Sequence, residues 1–223
     1  DLVLKQMQLA TPAEVIHAID AYAKLGVDGI LSVTPYYNRP TQEGLFQHYK
    51  AIAESTSLPI ILYSVPGRTG CNIDAATCAR LATIPHVIGV KEASGNITQM
   101  VEICRSVPKD FLVMSGDDAL TLPLMAIGGR GLISVASNII PGEMARMVEA
   151  AERGDFAAAR EMHHRLVPLM LGNFATGLSV LLPAGMLTVL AEGLNVGIRE
   201  TGLLVTFGAV ILCFGSPLVA WLT

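Results

Sequence analysis

Apolar positions recur in two alternating periods along the first two thirds of the chain. Short runs rich in aliphatic and β-branched residues, Gly29–Val33, Ile60–Val65, Val87–Glu92, Leu112–Gly116 and Gly131–Ala136, predict strands buried on both faces. Between them the apolar spacing predicts helices over 12–25, 42–55, 74–82, 96–106, 118–127, 141–152 and 155–171. Thr11 suits the N-cap of the first helix, and Gly26 follows its end. Repetition of strand and helix predicts a parallel α/β fold. Polar residues gather just after the strands: Thr34-Pro35-Tyr36-Tyr37-Asn38, Pro66-Gly67-Arg68-Thr69-Gly70, Ser94-Gly95-Asn96 and Asp117-Asp118. Loops at that end form the active face of a (β/α)8 barrel and line the crevice of an open doubly wound sheet. Only five strand-helix units are visible, whereas a closed barrel needs eight.

The pattern changes after Arg165. Beyond it only Glu192, Arg199 and Glu200 carry charge. Leu166 to Ala191 and Thr201 to Thr223 are two uncharged stretches of membrane-spanning length, with Trp221 near one end as an interfacial anchor. The alternative is a pair of fully buried soluble helices; length and charge depletion favour membrane-type character.

Charge and cysteine content then narrow the chemistry. A formal net charge of −4 over 223 residues argues against a nucleic-acid partner. Cys71, Cys78, Cys104 and Cys213 form no CxxC pair and have no metal-ligand spacing with the histidines, so they read as reduced, packed thiols. His163-His164 lies on a charged helical stretch and reads as solvated. Asp117-Asp118 is weak evidence for a metal, and Asp118 suits a helix N-cap. Gly128-Gly129-Arg130-Gly131 precedes a strand, whereas a phosphate cradle follows one and opens a helix.

The most informative single residue is Lys91, inside the apolar run Val87 to Ala93. Burial favours the neutral amine, which can attack a ketone to form a Schiff base. A lysine reaching out from a strand end to a carboxylate is the plainer reading, and the strand by itself favours it.

Four motifs reverse that preference. Thr34-Pro35-Tyr36-Tyr37-Asn38-Arg39-Pro40, Tyr63-Ser64-Val65-Pro66-Gly67-Arg68-Thr69-Gly70, Gly89-Val90-Lys91-Glu92-Ala93-Ser94-Gly95-Asn96 and Ser115-Gly116-Asp117-Asp118 occur in order and at suitable spacing. Residues 12–173 thereby resemble the dihydrodipicolinate synthase family, among the pyruvate-dependent class I aldolases that include N-acetylneuraminate lyase. The resemblance implies a partial TIM (β/α)8 barrel built from the family's fourth to eighth strands. It also implies that Lys91 forms an imine with pyruvate and that the enamine attacks L-aspartate 4-semialdehyde, on the diaminopimelate route to lysine.

Tyr63 and Tyr37 would relay protons, Tyr37 acting across a dimer interface with Tyr36 packing beside it. Arg68 would hold the semialdehyde carboxylate, and Gly116 and Ile133 would line the site. The resemblance further implies a dimer or tetramer in the cytoplasm, with no metal or nucleotide cofactor.

Three departures stand beside the matches. The family's opening strands and their Gly-Thr-Thr-Gly loop have no counterpart, and the sequence contains no Thr-Thr pair. Residues 1–11 form a divergent stub. From 174 to 223 the chain resembles the first two helices of a major facilitator superfamily transporter, through Pro183-Ala184-Gly185-Met186, Glu192-Gly193-Leu194, Thr201-Gly202-Leu203-Leu204-Val205 and Gly215-Ser216-Pro217-Leu218. The expectation is an aldolase-like segment of impaired activity followed by an apolar helical hairpin with potential membrane association. The alternatives are a transporter fragment fused to a vestigial aldolase segment, or a related pyruvate aldolase with another aldehyde partner.

Overall fold

Side chains alternate across a strand, so a strand buried on both faces needs a helix layer on one side and a second apolar layer on the other. The computed structural model, which describes residues 4–7, 11–36, 38–166 and 168, sets a helix layer against one face of a parallel sheet. Strands β1 (Leu4–Met7), β2 (Gly29–Val33), β3 (Ile60–Ser64), β4 (Val87–Glu92), β5 (Leu112–Ser115) and β6 (Gly131–Leu132) form one sheet in sequence order. Every neighbouring pair is parallel. Helices α1 (Pro12–Ala23), α2 (Gln42–Glu54), α3 (Pro66–Thr69), α4 (Ala75–Leu81), α5 (Ile97–Ser106), α6 (Thr121–Ala126) and α7 (Pro141–Glu152) make the returns, and residues 156–166 are also helical.

Local signals account for the helix starts. Thr11 and Glu14 form a reciprocal capping box at α1, as the sequence suggests for Thr11. Thr41, Asp74 and Asn96 each accept a backbone N–H in the first turn of α2, α4 and α5.

The core lies between the helices and one face of the sheet. Ile30, Ile60, Leu62, Val90 and Val113 point from the strands into it, meeting Ile19, Leu45, Tyr49, Ile52, Leu81, Met100 and Ile103. Each such fully buried aliphatic side chain stabilises the fold by about 1.5–3 kcal/mol. The opposite face carries Leu31, Val33 and Ile61, also buried.

Two expectations are corrected. The stub over 1–11 contributes β1, which pairs in parallel register with β2 from Leu4↔Gly29 to Met7↔Ser32. The last strand, predicted to Ala136, ends at Leu132, and a 3-10 turn forms at Ala136–Asn138. The cause is tertiary: the Asp118 carboxylate accepts the backbone N–H groups of Val135 and Ala136, at 3.2 and 3.0 Å. Those groups are thereby withdrawn from any strand ladder.

Among the described residues the sheet is an open one with β1 and β6 at its edges. The chain divides into two compact units, Asp1–Arg165 and Leu166–Thr223, and the sheet belongs to the first. Tyr37 and the apolar hairpin expected over 174–223 lie outside the described residues. Among the described residues no helix is long and apolar enough to cross a membrane.

Gly89, on the Lys91 strand, lies where β4 and β5 approach closely. A Cβ there would lie 2.6 Å from the Leu112 carbonyl oxygen and 2.8 Å from Leu112 Cβ. Gly89→Ala is expected to destabilise the fold by about 1–3 kcal/mol through overpacking. Chemical denaturation monitored by circular dichroism reads this; an unchanged midpoint would contradict the packing at β4–β5.

Candidate active site

In a parallel sheet, residues in register share a face, so one row of side chains crosses several strands. The row formed by Val33, Tyr63, Lys91 and Met114 crosses β2 to β5, at the last residue of β2 and one position before the ends of β3, β4 and β5. It brings Lys91 and Tyr63 side by side, with Lys91 Nζ 4.4 Å from the centre of the Tyr63 ring. An ammonium over an aromatic face is attracted by the ring quadrupole. The lysine side chain is only 7% exposed, so it approaches that ring largely stripped of water.

Burial pushes the Lys91 ammonium below the ordinary lysine value. The negative charge of Asp118 opposes that shift, and the positive charge of Arg68 reinforces it. The Tyr63 phenol moves the other way: burial raises it, and Arg68 partly offsets the rise. At neutral pH the pair is therefore a protonated phenol beside an amine whose neutral form is easier to reach.

Arg68 sits on α3, a single turn opened by Pro66 and closed by Gly70 in the left-handed region at φ 67°. The turn is anchored by Thr69, whose hydroxyl donates to the Cys71 carbonyl at 3.0 Å and accepts from the Thr34 hydroxyl, also at 3.0 Å. Arg68 itself is exposed, and its charge acts on both Tyr63 and Lys91. A guanidinium so placed can grip a substrate carboxylate with two parallel hydrogen bonds.

Gly116 follows β5 beside the lysine. A Cβ there would stand 3.1 Å from Lys91 Cε and 2.6 Å from Ala93 Cβ, so the absent side chain leaves the lysine its path. Ile133 is half-buried one strand further on, its backbone N–H donating to the Ser115 carbonyl at 2.9 Å. Of the six residues expected at the site, Lys91, Tyr63 and Gly116 are in one group, and the Arg68 charge reaches two of them. Ile133 lies beyond β5, and Tyr37 is outside the described residues.

Asp118 departs from its expected role. Asp117, not Asp118, caps the following turn by accepting from the Ala119 N–H at 2.9 Å. Asp118 is buried and takes Ser134 Oγ together with the Val135 and Ala136 N–H groups, pinning the segment after Ile133. The adjacent carboxylates were the only sequence signal for it, and they do not distinguish a cap from a clamp.

Comparison with known proteins agrees with this geometry. A model described as the Dihydrodipicolinate synthetase family matches residues 9–199. The chain is 54% identical over 164 residues to a 4-hydroxy-tetrahydrodipicolinate synthase of Koribacter versatilis, covering 74% of this chain and 55% of that protein. It is 58% identical over 152 residues to 4-hydroxy-tetrahydrodipicolinate synthase 1 of Halalkalibacterium halodurans, covering 68% of this chain and 52% of that protein. Among solved structures, dihydrodipicolinate synthase from Thermotoga maritima superposes with a TM-score of 0.77 at 39% identity, covering 81% of this chain and 64% of that one. The chain spans about half the length of the curated relatives it matches. The family match also runs beyond residue 173, through to 199, across the first part of the segment whose hydropathy suggests transporter helices. The transporter resemblance has no support in these comparisons.

The buried lysine has a consequence for stability. Its folded-state value is depressed, so below that value folding must bury a charge, and the penalty fades as pH rises towards the ordinary lysine value of 10.5. Lys91→Met is expected to raise the denaturation midpoint at neutral pH, with the gain shrinking as pH approaches that range. Urea titrations of both proteins from neutral to alkaline pH check this, and a methionine variant less stable at neutral pH would contradict it.

Proposed function

The chain belongs to the Dihydrodipicolinate synthetase family, and on that premise we propose that it carries the Schiff-base machinery for condensing pyruvate with L-aspartate 4-semialdehyde. The observation that carries the reading is the near-complete burial of Lys91 on the same sheet face as Tyr63, with its amine 4.4 Å from the ring centre. A lysine meant only for solubility would not be desolvated at a strand end.

In the proposed sequence the neutral Lys91 amine adds to the pyruvate ketone, and the carbinolamine loses water to give an imine. Loss of a methyl proton gives the enamine, whose carbon bonds to the aldehyde carbon of the semialdehyde. The aldehyde oxygen becomes a hydroxyl by taking a proton. The amino group of the former semialdehyde then attacks the imine carbon, closes the ring and releases the Lys91 amine. Tyr63 is assigned the proton transfers at the imine and the new hydroxyl, which suit a phenol held protonated by burial. Arg68 is assigned the semialdehyde carboxylate, and Gly116 and Ile133 the lining of the site.

Tyr37 is proposed as the second proton relay, reaching a neighbouring copy's site in a homo-oligomer. The 223 residues contain no Thr-Thr pair, so imine formation is the step most directly assigned to the residues present. The chemistry proposed uses a covalent lysine imine and assigns no role to a metal or nucleotide.

The test is borohydride reduction in the presence of pyruvate, read by intact mass and peptide mapping. A reduced pyruvyl adduct on Lys91, absent from Lys91→Met, is the expected result. A folded chain that acquires no adduct would refute the reading. Arg68→Ala should retain adduct formation but consume the imine about a hundredfold more slowly on addition of semialdehyde, as loss of a bidentate charged contact of roughly 3 kcal/mol implies. Equal loss of both steps would show that Arg68 does not select the aldehyde.

A further inference from the structure

The residues one step beyond the Tyr63–Lys91 row alternate to the opposite face of the sheet, towards the helices. At that level the chain places Thr34, Ser64, Glu92 and Ser115, and all four are 1% exposed or less. Ser64, Glu92 and Ser115 are in register across β3 to β5, and the Thr34 N–H continues the ladder by donating to the Tyr63 carbonyl at 3.0 Å. A polar layer buried this deeply directly above an aliphatic core carries a desolvation cost unless its groups are paired.

The pairing is specific at the two strands that carry the reactive side chains, and of the side-chain oxygens in this row Glu92 Oε2 alone has no partner. Ser64 Oγ donates to Asn72 Oδ1 at 3.3 Å and accepts the Ile73 N–H at 3.2 Å. Asn72 Nδ2 donates to Gln99 Oε1 at 2.7 Å, and Gln99 Nε2 donates both to Asn72 Oδ1 at 3.3 Å and to Glu92 Oε1 at 3.1 Å. Glu92 Oε1 also accepts the Ser94 N–H at 3.1 Å. On its outer side Asn72 is held through its carbonyl, which accepts from Gln42 Nε2 at 2.8 Å.

The chain of contacts therefore runs from β3 to β4 through two amides facing each other. It is placed where a small movement matters most. Ser64 follows Tyr63 and Glu92 follows Lys91, so neither reactive residue can shift along its strand without dragging a member of the chain. Ser64 and Asn72 also bracket the segment 65–71, which bears Arg68, and close it at its base.

We propose that the Asn72–Gln99 amide pair is a positioning clamp for the reactive face: it fixes Lys91 against Tyr63 and holds the Arg68 turn above them. Asn72 and Gln99 touch no substrate in this scheme; they act through Ser64 and Glu92. The proposal rests on the Schiff-base reading for its catalytic consequence, but the clamp itself is a structural statement that can be tested separately.

Asn72→Leu and Gln99→Met keep the volumes and remove the amides. In the full chain both are expected to slow borohydride-trapped adduct formation on Lys91, per folded molecule at saturating pyruvate, by about tenfold or more, the scale set by small misplacements of reacting groups. The double variant should be no slower than the slower single one, because both break one clamp. Leu45→Ala, on the core face of α2, serves as the comparison: it should lower stability and leave the rate per folded molecule unchanged.

Hydrogen exchange read by mass spectrometry supplies the second measurement. Peptides covering 65–73 and 93–99 should loosen together in either single variant, while 29–33 stays protected. If the parent chain traps pyruvate and Asn72→Leu or Gln99→Met traps it as fast, the proposal is overturned. If the parent chain traps nothing, the Schiff-base reading fails, and exchange alone decides: joint loosening of the two segments supports the clamp, and unchanged protection overturns it.

Discussion

Everything particular about the reactive face depends on the cost of stripping water from one ammonium group. Lys91 is 7% exposed, and the environment that receives it includes an aromatic face and the opposing charges of Asp118 and Arg68. Burial outweighs the favourable carboxylate, so the net shift is towards the neutral amine. That balance is what a ketone-seeking lysine requires, since a fully paired ammonium would be stable and unreactive. Stability is given up at this point of the fold, and on the proposed Schiff-base reading what is gained is reactivity.

Parallel register converts that local constraint into an architecture. Because side chains alternate, the strand ends must offer two rows at adjacent levels, one to each side of the sheet. The row with Tyr63 and Lys91 faces away from the helices, and the row with Ser64 and Glu92 faces them. Polar side chains at the second level would weaken an ordinary core. Here they meet side chains and backbone beyond the strand ends, so the segments after β3, β4 and β5 are tied to the strands they leave, and Thr34 ties the end of β2 to the turn after β3. Ser115 does the same at β5, exchanging hydrogen bonds with the backbone of Asp117 around Gly116. Rigidity at the strand ends therefore comes from the buried polar row.

The parts of the fold that were legible in the sequence are those whose cause is local. Gly29–Val33 and Val87–Glu92 form strands with the boundaries their apolar runs imply, and Thr11 caps α1 with the predicted chemistry. The misses have non-local causes. Strand β1, Leu-Lys-Gln-Met, has two polar residues and no β-branched one, a composition that a strand with a single partner tolerates. Strand β6 stops early because a carboxylate from the turn after β5 captures its would-be ladder donors. Of the site, Lys91, Tyr63 and Arg68 could be picked out because their motifs are contiguous. The amide pair behind them could not, since Asn72 and Gln99 are 27 positions apart and neither sits in an unusual local pattern.

The separation of Arg68 from the sheet has its own logic. On the proposed reading the amine and the phenol must keep a fixed distance through every step, and they stand on adjacent, hydrogen-bonded strands. The arginine would have only to meet one end of an incoming molecule, and it stands exposed on a short turn. That turn is still not free. Gly70 adopts φ 67°, and the Arg39 side chain lies so close that a Cβ on Gly70 would be 2.7 Å from its Nε. The Thr34–Thr69 hydroxyl bond ties the same turn to the end of β2. The loop after β2 and the turn after β3 are thus packed as one element, so whatever orients the first also orients Arg68. A Cβ at position 70 would strain the turn and push the flexible Arg39 side chain aside, so the glycine keeps the turn and the loop after β2 in close contact.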